Sequence, residues 1–408
     1  MLQREGRGGT DSPAMRRVRS SLIALEVAAS LALLVGCGLM IRSVAHLARV
    51  DLGFQTEGIE RARVALPPRT YPDTQAFMRF YDRLNQRLSA FSGVKFALTN
   101  FIPFYEYPKQ AVEVNGGDGN GPSASVMAIS DGYFDLFGVK IRQGRGFTAG
   151  DREGAEPVAV ISETLARRLW PNESAVGRRI RPADQPDRNV RAVWRTIVGV
   201  ARDVRQTHAD IDLNDIYLPF FQTPSRYAPL YIRTDRHSSL SFDALRALSA
   251  EIDPEVLLTG RAQGEPPLAS EAERQLAGPR FLMASLTGFA LFAALLAIIG
   301  IYGVTAYAVQ QREREIAIRV AIGATPGAII RMFLKAGGFT LACGIGCGLF
   351  AAAAVARMLA SQLHGVRPFD VGTLLGACAF MALASLLATW LPARRAAARN
   401  PIASLNEN

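Results

Sequence analysis

Gln310-Gln311-Arg312-Glu313-Arg314-Glu315-Ile316-Ala317-Ile318-Arg319-Val320-Ala321-Ile322-Gly323-Ala324 is a short, highly charged amphipathic stretch. It lies between two apolar runs: neither Phe281 to Val309 nor Ala336 to Ala356 contains a charged residue. A helix in hydrocarbon must satisfy its own backbone groups, and about 20 apolar residues cross a bilayer. The pattern predicts a charged helix over 310–324, held tightly between two membrane spans. That is the placement of a lever, because a soluble partner pushing on it must move the spans.

Two further apolar runs complete the layout. Ser20 to Ile41 is interrupted only by Glu26, and Val371 to Pro392 carries no charge. The expected transmembrane helices are therefore 20–41, 281–309, about 328–356 and 371–392, one followed by three. The second would be about 43 Å long, more than the hydrocarbon needs, and is expected to project as a stalk. The first is too long for a signal peptide and has no A-x-A site directly after it, although an uncleaved signal anchor fits.

Arginine and lysine set the orientation. Arg16, Arg17 and Arg19 precede the first span; Arg312, Arg314, Arg319, Arg331 and Lys335 lie in or beside the 2–3 connection; Arg394, Arg395 and Arg399 follow the fourth span. The 3–4 connection, Ser361 to Asp370, carries only Arg367. Residues 1–19, the charged helix and the tail 394–408 are thus expected in the cytoplasm, with the chain multi-pass. Residues 42–279 are expected outside. Arg42 and Arg280, on the outer side, run against the rule.

The chain has 408 residues, 49% hydrophobic, with a net charge of +10. The positive charge is nearly all arginine, the lysines being Lys95, Lys109, Lys140 and Lys335. No basic stripe with interleaved aromatics marks a nucleic-acid surface. Cys37, Cys343, Cys347 and Cys378 all lie in apolar runs, so the soluble part has no disulfide framework and no thiol metal site. In the spans they read as small apolar residues.

Within the spans, Glu26 either reaches the headgroups or makes a polar contact between helices. Gly344 and Gly348 form a G-x-x-x-G pair that lets helices approach closely, a weak pointer to any particular dimer face. Thr325-Pro326 reads as an N-cap followed by proline at the first helical position, and Gly323 can end the charged helix before it.

The outer region reads as mixed α and β. Ala62, Val64 and Leu66 alternate with Arg61 and Arg63, as in a half-buried strand over 59–66. Asp73 can cap a helix whose apolar face is Phe77, Phe80, Tyr81, Leu84, Leu88 and Phe91; its charges read as a solvated face. A strand over 94–99 follows. The unit recurs as strand 230–234, a helix with Phe242, Leu245, Leu248 and Ile252, and strand 255–259. Two such units predict one sheet, split in the ferredoxin-like manner. Residues of about 130–215 read as an inserted subdomain with strands at 157–161 and 195–200 and a helix ending at Trp170-Pro171. The Gly-rich run 115–122 reads as a hairpin or linker, since no strand-to-helix context makes it a phosphate loop.

Reaction chemistry is hard to find. No Gly-Lys pair occurs, so there is no phosphate loop for ATP. No H-E-x-x-H or G-x-S-x-G occurs, and His46, His208, His237 and His364 are far apart. Asp210-x-Asp212-x-Asn214 begins like a calcium loop, but Asp215 stands where glycine is required and Phe221 where glutamate is required. The cluster Asp203, His208, Asp210, Asp212, Asn214, Asp215 reads as a solvated loop. The expectation is no enzyme, no catalytic residue, no metal and no cofactor.

The stretch 312–326, R-E-R-E-I-A-I-R-V-A-I-G-A-T-P, together with Leu391-Pro392-Ala393-Arg394-Arg395-Ala396-Ala397 and Asn400-Pro401, resembles the FtsX/MacB-type ABC transporter permeases. The outer region resembles the MacB periplasmic core, through Gly132-Tyr133-Phe134, Gly144-Arg145-Gly146-Phe147, Trp170-Pro171-Asn172 and Trp194-Arg195-Thr196-Ile197-Val198-Gly199-Val200. The likeness covers about 20–405. Within the family it leans toward the acidobacterial-type duplicated orphan permeases, of which this chain would be one half-length unit or a truncated gene model of the second half. The resemblance implies a membrane protein of four transmembrane helices with a large α+β extracytoplasmic domain: a MacB-like core with a ferredoxin-like porter part and an inserted subdomain. The permease domain would be 280–393, and the chain would sit in the inner membrane of a bacterial cell. The resemblance further implies mechanotransmission, in which a separate cytoplasmic ABC ATPase drives the lever and stalk helices carry the motion outward. Partners would be a second copy or a second permease half, and an extracytoplasmic adaptor or enzyme. Arg312, Glu313, Arg314, Glu315, Ile316, Ile318, Arg319 and Ile322 would meet the ATPase, and Gly344 and Gly348 would pack helices. Efflux or envelope export is the expected use; the alternative is FtsX-like signalling that controls an envelope enzyme.

Overall fold

Each apolar run forms a helix that outlasts it. The computed structural model describes residues 13–105, 107–115, 121–184, 191–210, 212–235, 240–260, 266–322 and 324–397. The chain forms two units, residues 1–49 with 277–408 and residues 50–276. The first helix, α1 (Pro13–Leu47), belongs to the helical unit.

In residues 50–276, β1 (Glu60–Ala65), α2 (Thr74–Ser89) and β2 (Val94–Leu98) follow the predicted pattern. Asp73 caps α2 by accepting from the Ala76 N–H at 2.8 Å, which satisfies one of the free donors of the first turn. The second sheet then begins, with β3 (Gln110–Val114), β4 (Ser123–Ile129), the short α3 (Tyr133–Leu136), β5 (Ile141–Gly144), β6 (Val158–Ser162), α4 (Glu163–Leu169), β7 (Arg179–Pro182), β8 (Arg195–Ala201) and β9 (Asp215–Pro219). The chain returns through β10 (Tyr227–Thr234), α5 (Phe242–Ile252) and β11 (Leu257–Thr259), and ends in α6 (Leu268–Gln275).

The first sheet has strand order β11-β1-β10-β2, antiparallel throughout, with Ala62 opposite Leu230 and Leu230 opposite Leu98. This is the ferredoxin-like arrangement, with α2 and α5 over one face. Tyr81, Leu84, Leu88, Leu245 and Val64 build the core there. Arg61 corrects the half-buried reading of β1: it is 6% exposed, because the other face is covered as well. Leu268 of α6 donates its N–H to the Ile59 carbonyl at 3.1 Å, and Glu271 lies 3.9 Å from the Arg61 guanidinium.

The second sheet runs β5-β8-β6-β9-β4-β3-β7, and β7 also pairs with β8, so six of its strands close on themselves. It is mixed, with β4–β9 and β6–β8 parallel. It starts at Gln110, not near 130. Strand β4 escaped the sequence reading because it is buried on both faces and shows no alternation. The two sheets are joined where Thr99 bridges Ile129, and where the Ser130 and Asn100 N–H groups bond the carbonyls of Leu98 and Ala128 at 2.9 and 3.1 Å. Between the sheets lies an aromatic core of Tyr133, Phe137, Tyr217 and Tyr231.

The Gly144-Arg145-Gly146-Phe147 element is a corner. Gly144 has φ +69 and would place a Cβ 2.2 Å from the Val198 carbonyl, so only glycine fits. Arg145 donates two parallel bonds to Asp151, at 2.7 and 3.0 Å, and Asp151 also accepts from the Thr148 N–H and hydroxyl. Burial works to raise the Asp151 carboxyl, but these donors outweigh it and hold the group below the usual carboxylate range.

The helical unit comprises α1, α7 (Ala277–Gln311), α8 (Glu313–Ala321), α9 (Pro326–Met358) and α10 (Val371–Ala397). The four long ones are long and apolar enough to cross a membrane. At 35 residues α7 spans about 52 Å. Helix α1 packs parallel to α9, with Val27 beside Gly344, Leu31 beside Gly348 and Gly36 beside Val355. It runs antiparallel to α7: Arg19 lies over the Tyr307 ring at 4.5 Å, the Glu26 carboxylate lies over Gly300, and Cys37 Sγ is 3.2 Å from Thr287 Oγ1. Arg395 donates to the Tyr302 hydroxyl at 2.8 Å, so the C-terminal ends of α10 and α7 lie together and the two helices run parallel. One end of the bundle therefore gathers Arg17, Arg19, α8, Arg394 and Arg395. At the other end Arg42 is paired with Asp370 at 2.5 Å, and Asp370 also caps α10 through Thr373.

Gly344 and Gly348 do not face outward toward a second subunit. Both are buried against α1, in line with Ala352 and Ala356 at the same four-residue spacing. A Cβ at Gly348 would sit 3.0 Å from Leu31 Cδ2 and 3.1 Å from Ala28 Cα, whereas at Gly346 it meets nothing within 4 Å. Thr325 takes the N-cap position before Pro326, but its side chain makes no capping bond.

Two measurements on the detergent-solubilised chain test these packing arguments. Gly348→Leu is expected to lower stability by about 1–3 kcal/mol by overpacking, and Gly346→Leu to be nearly silent. Asp151→Asn should cost about 1–3 kcal/mol at neutral pH. Because the folded carboxyl is depressed, its contribution is present above the unfolded pKa and is lost as pH falls through the folded one. The gap between Asp151→Asn and the parent should therefore close as pH drops below about 4.

Candidate functional site

The charged stretch is divided between two helices. Gln310 and Gln311 finish α7, Arg312 makes the turn, and α8 begins at Glu313. The Arg312 N–H bonds the Val309 carbonyl at 3.1 Å, and the Ile316 N–H bonds the Arg312 carbonyl at 2.9 Å. Gly323 lies outside the described residues.

Helix α8 has an inner and an outer face. Ile316 is 5% exposed and packs among Val309 of α7, Ile329 and Phe333 of α9 and Ala393 of α10. Ile318 and Ile322 are 56% and 81% exposed. Arg319 pairs with Glu315 at 2.6 Å, one helical turn back, and donates to Met332 Sδ at 2.9 Å. Arg312 is exposed and Glu313 half-buried, while the Arg314 side chain lies outside the described positions. Of the eight residues grouped from sequence, Ile316 is a seat, and Arg312, Glu315, Ile318, Arg319 and Ile322 form an open surface. The seat partners Ile329 and Phe333 were missed, although their four-residue spacing in the first turns of α9 was there to read.

Beside α8 the four long helices enclose a cavity of about 390 Å³ whose lining includes Arg19, Tyr307, Gln311, Arg312 and Thr389. Gln311 donates to the Tyr307 hydroxyl at 2.8 Å. This end of the bundle is more polar than the apolar runs suggested. The cavity reaches Val27; beyond it Leu31, Val35 and Leu39 are almost fully buried in an apolar core.

The acidic cluster of residues 50–276 is not a solvated loop. Asp203 accepts from the N–H and hydroxyl of Thr164, both at 2.7 Å, and so caps the first turn of α4. Lys109 lies 3.2 Å from Asp212 and 3.9 Å from Asp210. Asp215 starts β9 at 2% exposure, where burial pushes its carboxyl well up. His208 stacks on Phe104, and His237 lies outside the described residues. Among the described residues no group of three His, Cys, Asp or Glu side chains is placed to hold a metal. In the Gly-rich run, residues 116–120 also lie outside the described residues.

Comparison with known proteins places this geometry. A MacB-like periplasmic core domain model matches residues 30–252, more than half of the chain, and an FtsX-like permease C-terminal model matches residues 287–401. The chain belongs to the MacB-like, FtsX-type permease family. The pyoverdine export ATP-binding/permease protein PvdT of Pseudomonas syringae pv. tomato is 28% identical over 316 residues, which are 73% of this chain and 46% of PvdT. The ABC transporter permease YknZ of Bacillus subtilis is 27% identical over 69% of this chain and 70% of its own length. The macrolide export ATP-binding/permease protein MacB of Salmonella typhimurium is 25% identical over 69% of this chain and 43% of its own. The chain thus spans about half the length of PvdT and MacB. Among solved structures, the periplasmic region of MacB from Actinobacillus actinomycetemcomitans aligns with 53% of this chain and 94% of its own, at 17% identity and a TM-score of 0.34.

The two faces of α8 can be separated by thiol labelling. In a background with the four native cysteines replaced by alanine, Ile318→Cys and Ile322→Cys should react quickly with a water-soluble maleimide. Ile316→Cys should react markedly more slowly, because its seat must open first.

Proposed function

We propose that this chain is the permease subunit of an ABC-type transport system. It couples ATP hydrolysis by a separate cytoplasmic ATPase to movement of its extracytoplasmic domain, and serves efflux or envelope export. One observation carries the reading: α8 is anchored through Ile316 to three of the long helices while Ile318 and Ile322 stay exposed beside the Glu315–Arg319 pair. A helix that presents two isoleucines to water is built to be covered, and a groove in a soluble partner covers it by the helix-in-groove mode.

The sidedness of the bundle supports the same reading. Arg17, Arg19, Arg394 and Arg395 gather at the α8 end, which by the positive-inside rule is cytoplasmic, so both termini and α8 face the ATPase. Among the described residues the core beyond Val27 is mainly apolar, in keeping with mechanical work handed to an outer domain. The export roles in the names of PvdT and MacB point the same way. The working unit is a pair, either two copies of this chain or this chain with a second permease half, and an extracytoplasmic adaptor or enzyme is a further partner.

The test is recovery of the ATPase with the tagged chain from native membranes. Parent protein should bring down a nucleotide-binding subunit, and Ile318→Asp with Ile322→Asp should lose most of it while the chain stays folded and inserted. Equal recovery from the double variant, or labelling of residue 318 from the outer face of intact cells, would reject the proposal.

A further inference from the structure

Arg195 opens β8 with 3% of its surface exposed. Its guanidinium makes one hydrogen bond, from Nη1 to Gln222 Oε1 at 3.1 Å, while Nε is enclosed without an acceptor. Among the described residues no carboxylate pairs with it. Glu156 is engaged elsewhere: its carboxylate accepts from the Thr196 hydroxyl at 2.6 Å, and its carbonyl accepts from Gln222 Nε2 at 2.9 Å. Those bonds fix the Gln222 amide with its oxygen toward Arg195. An amide dipole is a weak answer to a full charge, and a buried charge without a counter-charge is costly. Burial pushes the guanidinium down to about 10 with no opposing charge.

Arg195 lines a cavity of about 150 Å³. Arg152, Arg191, Thr223 and Thr74 also line it, against one carboxylate, Glu153. Thr74 is the first residue of α2, whose N-terminal end is already answered by the Asp73 carboxylate, so the positive charge of the site is that of the arginines. Arg152 is partly neutralised by Asp82 at 3.7 Å; Arg195 is not neutralised at all. At about 30 Å³ per water, the cavity holds roughly five water-sized groups, the size of acetate or phosphate.

We propose that this cavity is an oxyanion site, which takes the carboxylate or phosphate group of a small solute as the counter-charge of Arg195. Arg152 and Arg191 draw the anion in, and Arg195 holds it. The lining comes from both halves of residues 50–276: α2 lies over the four-stranded sheet, and β8 belongs to the closed one. A bound anion therefore ties the two halves together. The site does not rest on the coupling role of α8.

The experiment is thermal unfolding and calorimetric titration of the full chain in detergent, with sodium acetate, sodium phosphate or sodium sulfate exchanged against sodium chloride at constant ionic strength. At least one oxyanion should raise the unfolding midpoint saturably, and the one that saturates lowest names the ligand class. Arg195→Gln should weaken binding at least tenfold, and Arg152→Gln roughly threefold. A parent protein that responds to all three anions as it does to chloride would overturn the site, and so would an Arg195→Gln protein that responds like the parent. If Arg195→Gln does not fold, Arg152→Gln and Arg191→Gln decide: unchanged affinity in both would overturn the site, and weaker binding in either supports it.

Discussion

Helices in hydrocarbon gain nothing from burying apolar surface against each other, because lipid tails are as apolar as leucine. What holds α1 to α9 must therefore be close contact itself. The stripe Gly344, Gly348, Ala352 and Ala356 provides it by keeping side chains absent or small, so that Val27 and Leu31 close on Gly344 and Gly348. Other close approaches in the bundle follow the same rule. Gly300 makes room for the Glu26 carboxylate on α7, and Gly38 brings α1 against Thr373 at the start of α10. The first span is separated from the other three by more than 200 residues of sequence, yet these contacts make it the centre of the bundle. Without them α1 would be an anchor; with them it shares every displacement of α7 and α9.

The water-exposed unit follows the opposite logic. There burial does drive association, and rings do most of it. Tyr133, Phe137, Tyr217 and Tyr231 lie 4.6 to 6.0 Å apart in a single cluster between the two sheets. Among the described residues the Tyr217 hydroxyl has no hydrogen-bond partner, and burial pushes the Tyr217 and Tyr231 phenols well up, opposed at Tyr231 by the neighbouring Arg61. Large rigid rings make the joint stiff, at the expense of the unpaired Tyr217 hydroxyl. Arginine is spent at the surface in corners such as Arg145–Asp151, so its abundance in this unit does not amount to a basic patch.

Much of this was legible from spacing alone. The four spans, the ferredoxin-like sheet with its Asp73 cap and the charged helix all rest on periodicities that depend on local neighbours. The closed sheet was only half legible. Strand β4, Ser-Ala-Ser-Val-Met-Ala-Ile, is flanked by β9 from about ninety residues later in the chain and covered on both faces, so nothing in its own pattern marks its depth. Asp203 and Asp215 looked like loop acids because sequence shows charge and not depth: one caps α4, the other is buried at a strand start. The G-x-x-x-G pair was visible, but which surface it meets depends on α1, which no local window contains. At the candidate site the charged residues were plain, yet the division of α8 into a seat and an open face needed Val309, Phe333 and Ala393 brought together from three helices.

That division bears on how force would pass through the molecule. A fully buried isoleucine contributes about 1.5–3 kcal/mol relative to an exposed one, so a seat resting on Ile316 against a single helix would yield to a modest push. Here its partners come from α7, α9 and α10, and α8 is continuous in chain with α7 through Arg312 and with α9 through the Thr325-Pro326 turn. Unseating it would disturb packing on three helices at once, while moving the bundle as one body disturbs none of it. On the proposed reading, a partner that closes on Ile318 and Ile322 therefore meets less resistance from displacing the whole bundle than from peeling α8 away. The choice between a flexible loop and a lever is made by the inward-facing side chain, and the outward-facing ones decide only what may push.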